Sequence, residues 1–401
     1  MKWLIVLAAA LAPVTASAQT HEHGTQRAWS LGVGAQAIPL LTHATPADRG
    51  RDLTEGYLSQ PNLFLHAHWA RLGAQATINF EGLTLQRGEL NAGTWGEGFI
   101  DRRHPHTYLH EALLTVDGSL AGQAWSVAGG KGFAPFGTDD PMARPFLKFP
   151  ANHHLTQVLE RLVAIGALEV GPVILEAGLL NGDEPLRPES LGTLDRFGDS
   201  WAARITLRPR AGYELQASHA NLESPEQPAG HALDQRKWDV SVRYQQEAAQ
   251  GGRYLLVEWA RTTKRSDELE VVALHSLLAE ASVHRRDWRV GLRAERTVRP
   301  EEERTGGSVF RSPWPHADER IWGLTRWLIA TGNVSRQFEW AGLRWAPVLE
   351  VTRQWAKPTV SPAIFSPELL FGSNRLWSLT LGVRLAAGMP HLRMGRYGVA
   401  Q

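Results

Sequence analysis

The chain has 401 residues, with 42 Lys and Arg against 41 Asp and Glu, 16 Trp against 6 Tyr, and no cysteine. That balance speaks against a nucleic-acid partner and against polybasic attraction to lipid. Without thiols, disulfide staples and thiolate metal sites are excluded, so stability must come from backbone pairing and burial.

Met1-Lys2, an apolar run from Trp3 to Val14 and the small residues Ala16-Ser17-Ala18 form the pattern of a secretory signal peptide, predicted over residues 1–18. No cysteine follows it to carry a lipid anchor. Removing Lys2 with this segment leaves a formally neutral chain from Gln19 to Gln401, read as a single domain. Its first residues, His21-Glu22-His23-Gly24, read either as a disordered terminus or as a site for copper or nickel. Beyond the signal no run of 18 apolar residues occurs, so a spanning helix is not predicted. A closed barrel crosses lipid without one, because its ladder satisfies every backbone N–H and C=O internally.

Alternation supports the barrel. Trp201, Ala203, Ile205 and Leu207 oppose Ala202, Arg204, Thr206 and Arg208, and Trp238, Val240, Val242 and Tyr244 oppose Lys237, Asp239, Ser241 and Arg243. The same period of two runs through Trp288, Val290, Leu292 and Ala294 against Arg289, Gly291, Arg293 and Glu295, and through Trp377, Leu379, Leu381 and Val383 against Ser378, Thr380, Gly382 and Arg384. Trp29, Trp69, Trp201, Trp238, Trp259, Trp288, Trp345, Trp355 and Trp377 fall mostly near strand ends, where two aromatic girdles at the lipid–water boundaries would place them. The predicted fold is all-β: a transmembrane antiparallel barrel of about sixteen strands, starting near residues 27, 61, 71, 107, 121, 159, 172, 199, 212, 236, 252, 269, 287, 320, 338 and 375. Long outer connections are expected at 39–60, 86–106, 131–158, 181–198, 220–235, 299–319 and 356–374. Short periplasmic turns are expected at Ala70-Arg71, Asp117-Gly118, Gly171-Pro172, Pro209-Gly212 and His284-Asp287. Leu155-Val170 and Asp267-His284 have helix-forming composition; helices there would lower the count to about fourteen.

The inward faces collect Arg204, Arg208, Lys237, Arg243, Arg289, Arg293 and Arg384 against fewer acids, among them Asp239, Glu258 and Glu295. Two readings stand: a basic ring that biases passage toward anions, or solvated wall charges paired across strands. A second constellation is histidine. His104, His106 and His110 share one parity, and His153-His154 ends the next outer connection, so imidazoles of two loops would meet at one rim. There they would either hold copper or zinc or simply hydrogen-bond the loops to the wall. Gly129-Gly130-Lys131-Gly132 lacks the Lys-Ser pair of a phosphate loop.

Trp95-Gly96-Glu97-Gly98, Asp101-Arg102-Arg103-His104-Pro105-His106, Asp140-Pro141-Met142-Ala143-Arg144-Pro145, Asn152-His153-His154 and Asn181-Gly182-Asp183-Glu184-Pro185 together resemble a group of largely uncharacterised porin-like outer-membrane proteins. The likeness runs over roughly residues 80–245, and Lys131–Gly137 is distantly similar to the matching part of phosphate-selective porins. The resemblance implies an outer-membrane barrel of a Gram-negative-type bacterium, inserted by the barrel assembly machinery, with a weak association to metal handling. In porins the third outer loop commonly folds inward, which would bring Lys131, Arg144 and Lys148 to a constriction. Where a terminal aromatic is expected, this chain instead continues past its last strand through Met389–Gln401, with Tyr397 inside that segment.

The function expected is passive diffusion of small polar or anionic solutes, without enzymatic activity, shaped by Lys131, Arg144, Arg204, Arg208, Arg243, Arg289 and Arg293. Trimers are common for porins of this size, although no residue carries that expectation. The alternatives are an outer-membrane copper or zinc protein using the histidine rim, and a barrel-embedded hydrolase built on His104, His106, Glu111 and His154, for which no nucleophile motif is present.

Overall fold

The computed structural model describes residues 29–84, 107–138, 141–156, 159–183, 185, 188–225, 232–248, 251–302, 321–360, 366–390 and 392–401. In chain order its strands are β1 (Trp29–Asp48), β2 (Arg51–Trp69), β3 (Leu72–Asn79), β4 (Leu109–Leu120), β5 (Gln123–Phe133), β6 (Glu160–Val170), β7 (Val173–Leu180) and β8 (Ser200–Leu207). They continue with β9 (Tyr213–Leu222), β10 (Asp234–Ala248), β11 (Gly251–Ser266), β12 (Leu269–Arg285) and β13 (Trp288–Glu302). The last three are β14 (Ile321–Arg336, resuming at Phe338–Trp340), β15 (Leu343–Pro358) and β16 (Arg375–Gly388). Every strand pairs antiparallel with its neighbours in sequence, and β1 pairs with both β2 and β16. The sheet is therefore a closed cylinder of sixteen strands and has no free edge.

The alternation resolves into two faces of different chemistry. Along β13, Trp288, Val290 and Leu292 point out and are more than half exposed, while Arg293 and Glu295 point in and are buried. The outward face meets lipid, so its exposure to solvent is only apparent. Trp29, Trp69, Trp288 and Trp340 ring the periplasmic end, and Trp201, Trp238, Trp259, Trp355 and Trp377 ring the outer end. The predicted girdles are in place. Trp327 departs from them: it points inward, is 1% exposed, and donates from Nε1 to Glu301 at 3.3 Å.

Several sequence expectations change. The span 39–60 is strand rather than a long loop: β1 and β2 run on to a two-residue hairpin, Arg49-Gly50, both at positive φ (51° and 86°). A two-residue turn of that hand fits the twist of paired strands. The register shift at Ala44/Asp48 takes up Pro46, while Pro39 stays in register opposite Leu58, next to the shift at Gln36/Ile38. Before β16 a short helix, α3 (Pro367–Phe371), closes over this hairpin, its carbonyls at Leu370 and Phe371 accepting from Arg49 and Gly50 N–H at 2.9 Å. The β4–β5 turn lies at Ala121-Gly122, not Asp117-Gly118. The last long hairpin folds back at Ala341-Gly342, so β14 reaches Trp340 and β15 starts at Leu343, where a strand beginning at 338 was expected. Leu269–Arg285 and Glu160–Val170 are strands; the single helical turn α2 (His153–Thr156) precedes the second, α1 being the turn Glu81–Thr84.

A charge placed on the outward face should be expensive at mid-height and cheap at the girdle. Leu292→Arg is expected to destabilise the barrel in lipid vesicles by about 2–4 kcal/mol and Trp288→Arg by about 0–1 kcal/mol. Denaturant titrations of vesicle-folded protein test this, and equal costs would contradict the assigned membrane position.

Candidate functional site

The bore is the candidate site, and two segments enter it. The connection after β5, described over 134–138, 141–156 and 159, turns inward across the half of the wall formed by β9–β16. Its backbone is held by carboxylates that project from the strands. Glu350 on β15 accepts from Leu147 N–H at 2.8 Å, and Glu295 on β13 accepts from Ala151 N–H at 2.5 Å. Arg293 donates to the Lys148 carbonyl at 2.9 Å and lies over the Phe146 ring at 4.3 Å, while Asn333 donates to the Pro145 carbonyl at 2.9 Å. Arg384 donates to the carbonyls of Arg144 and Phe146. Arg144 itself crosses to Glu258 (3.3 Å) and Glu280 (3.7 Å), and Glu280 is shared with Arg293. Arg144 is 1% exposed and Glu258 0% exposed, so mid-height is closed to water there. A charge so placed is tolerable only when paired and hydrogen-bonded.

The second segment is the stretch after β16, residues 389–401, which folds back up the bore along β4–β9. Arg393 grips Glu214 with both guanidinium nitrogens (2.9 and 2.8 Å), and Arg396, fully buried, adds a third contact to Glu214 at 3.1 Å and donates to Thr206 at 2.8 Å. A bidentate guanidinium–carboxylate pair fixes direction as well as distance. Arg204 on β8, paired to both oxygens of Glu176 at 2.6 Å, reaches the Gly137 carbonyl of the first segment and the Gly395 carbonyl of the second. Tyr397 is buried against β4 and β5. Burial, reinforced by Glu111, pushes its phenol well above the ordinary tyrosine value, so the O–H stays protonated. It donates to Glu111 at 2.8 Å and accepts from Phe133 N–H at 2.9 Å. Val399 N–H donates to Ser126 at 3.2 Å, and Arg208 donates to the Ala400 carbonyl at 3.2 Å. The two segments touch each other where Arg393 and Arg396 donate to the Thr138 carbonyl and where Phe133, Met142, Phe149 and Met394 pack together.

The sequence-predicted residues divide by height. Arg144, Arg204 and Arg293 sit at mid-bore in ion pairs. Arg208, Arg243 and Arg289 line the periplasmic mouth with Arg384, all partly exposed. Lys131 lies on β5 near the outer rim rather than on the inserted loop, paired to Glu160 at 3.0 Å and donating to Thr107 and the Ser190 carbonyl. His110 is buried beside it, its Nδ1 at 2.7 Å from Glu160 and its Nε2 against Asn79, so both ring nitrogens are engaged. His153 stacks on Phe149 at 4.7 Å. His104 and His106 lie outside the described residues, as does the side chain of His154. Among the described residues no three His, Asp or Glu side chains are grouped as metal ligands would be. Residues 389–401 are the functional element that sequence reasoning missed. Its signal was Arg393, Arg396 and Tyr397 in a stretch too polar for a strand facing lipid.

No family model matches the chain. No curated protein matches it either. Among solved structures it is similar to an anion-selective porin from Comamonas acidovorans, with a TM-score of 0.52 at 10% identity, over 89% of this chain and 99% of that one. OmpT of Vibrio cholerae, in a trimer form, gives 0.49 at 10% identity over 90% and 100%, and OccK2 of Pseudomonas aeruginosa in complex with glucuronate gives 0.39 at 9% identity over 90% and 98%. The shared feature is the fold, that of a porin barrel.

Replacing Glu214 by Gln removes the acceptor charge common to Arg393 and Arg396. Loss of one partner from a buried ion group costs about 3–5 kcal/mol, so the segment should leave the wall. Trypsin is expected to cut after Arg393 and Arg396 at least tenfold faster in folded Glu214→Gln than in the wild type, read by mass spectrometry of barrels that keep their heat-modifiable gel mobility; equal rates would contradict the docking.

Proposed function

We propose that the barrel is a passive, narrow channel for small polar solutes, with a preference for anions set at its periplasmic mouth. The observation that carries this reading is the distribution of charge along the bore. At mid-height each guanidinium named above has a carboxylate partner, so that zone contributes little net field. At the mouth, Arg289 makes no ion pair among the described residues and Arg243 stands with it on the inward face, while Arg208 beside them has only a share of Glu214 (3.5 Å), an acid already paired to Arg393 and Arg396, so positive charge is in excess there. A cationic ring in a water-filled vestibule raises the local concentration of anions. The fold of an anion-selective porin lends support as a fold alone.

Passage past mid-height runs between or beside the two inserted segments, so conductance is small when both are docked and rises when either is released. The copper or zinc reading and the hydrolase reading gain nothing from His110, whose ring nitrogens are occupied, and the nearest hydroxyl to the Glu160 group, Thr107, is buried and already donates to that carboxylate. Lys131 serves that group and is thereby assigned to holding the rim rather than to steering solute.

Planar-bilayer recording in a salt gradient tests the proposal. The full-length protein is expected to give small discrete steps with a reversal potential on the anion side, Arg208→Glu with Arg243→Glu and Arg289→Glu to move that potential toward cation preference, and Glu214→Gln to raise the step size. No steps from any of these proteins, or cation preference in the wild type, would remove the reading.

A further inference from the structure

The outward face carries charges that the lipid-facing role does not explain. At the outer ends of β12–β15, His275, Arg296, Arg326 and Lys357 all point away from the bore. Arg326 and Lys357 are directly opposite in the ladder, a like-charge pair in the position where side chains come closest to one another. Arg296 stands opposite Leu328 on β14, two residues from Arg326, and His275 lies one step beyond the Ser276–Thr297 pair. His275 is within electrostatic reach of Arg296, Arg326 and Arg261. Among the described residues none of His275, Arg296, Arg326 and Lys357 forms an ion pair or side-chain hydrogen bond, and Nε of Arg326 is buried with no acceptor. Among the described residues, Glu270 on β12 is committed to Arg261 at 3.1 Å and Glu268, just before β12, to Arg265 at 2.7 Å.

The height of the cluster identifies what would neutralise it. On β13 the outward residues run Trp288, Val290, Leu292, Ala294 and then Arg296. That interval spans roughly 20 Å of membrane for a strand tilted by about 40° and rising about 3.3 Å per residue, close to the full apolar band of an outer-membrane barrel. Arg296 therefore sits at the outer boundary of the hydrocarbon, level with the girdle that contains Trp259, Trp355 and Trp377. Three unpaired cations at that depth, with the His275 imidazole beside them as a hydrogen-bonding group, face headgroups, and an anionic headgroup supplies the missing charge without any protein partner. Guanidinium forks suit the oxygens of phosphate.

We propose that His275, Arg296, Arg326 and Lys357 form a binding site on the outside of the barrel for a phosphate group of an outer-leaflet glycolipid. The ligand's acyl chains would lie along the apolar outward face of β12–β15 beneath the cluster, through Leu277, Leu292, Leu328 and Val351. Its phosphate would relieve the repulsion between Arg326 and Lys357. The site is independent of the bore and of the solutes that pass through it.

The test uses full-length protein in nanodiscs containing diphosphoryl lipid A, with matched discs containing dephosphorylated lipid A, and counts glycolipid retained per barrel by native mass spectrometry. The wild type is expected to retain the diphosphoryl form over the dephosphorylated form by about tenfold or more, and Arg296→Ala with Arg326→Ala to lose that preference by about tenfold. Arg296→Lys with Arg326→Lys should keep most of it, which separates loss of charge from loss of fold. Equal retention by the alanine variant, or no preference for the phosphorylated lipid, would overturn the site. Displacement of the glycolipid by millimolar inorganic phosphate would overturn the lipid as its source.

Discussion

The interior of this barrel is governed by carboxylates that have been taken out of water and must find donors. Glu111, Glu176, Glu214, Glu258, Glu280, Glu295 and Glu350 all project from strands into the bore, and each is buried. The wall supplies some of the donors, such as Arg204 for Glu176 and Arg293 for Glu295. The rest come from the two inserted segments, as side chains at Arg144, Arg393, Arg396 and Tyr397 and as backbone N–H groups at Leu147 and Ala151. Desolvation of an ionised carboxylate is so costly that these donors are a condition of the bore being filled at all. The same contacts that satisfy the wall therefore set the size of the passage.

This gives the two halves of the bore different attachments. The loop after β5 is held through its backbone, which leaves its side chains Phe146, Leu147 and Phe149 to pack in apolar contacts of their own. The segment after β16 is held through the side chains of Arg393 and Arg396 on Glu214, with Arg396 also 3.7 Å from Glu176, through Tyr397 on Glu111, and through backbone groups of Gly395, Val399 and Ala400. Sharing one acid between two guanidinia makes the docking sensitive to the loss of that charge. Spreading it over several backbone donors does not. A polar interior and an apolar exterior are separated by a single layer of strand, and the tryptophans at both ends mark where that layer leaves the hydrocarbon.

The period of two was enough to read the cylinder, because every strand has lipid on one side and polar groups on the other, and slipping by one residue would reverse both faces. It failed over 39–60, where two register shifts, at Gln36/Ile38 and Ala44/Asp48, break the alternation between β1 and β2. The third outer connection was legible as the segment that carries Arg144 inward, and the structure pairs that residue to Glu258 at mid-bore, whereas Lys131 was assigned to that connection and belongs to β5. What the sequence did not disclose is the fate of 389–401. Its partners include Ser126, Thr206 and Glu214, at least 179 residues away, and no local pattern reports a contact of that range. The inward acids were visible, but their pairing with a segment beyond the barrel was not.

Insertion of residues 389–401 into the bore is the claim on which the account of a filled interior turns. The chain has no cysteine of its own, so Ser126→Cys with Val399→Cys can be introduced on a clean background and oxidised in intact outer membranes. The account predicts rapid cross-linking of these two sites, detected as a shifted band that reverts on reduction. Two thiols that remain separate and are each labelled by a small maleimide would contradict it.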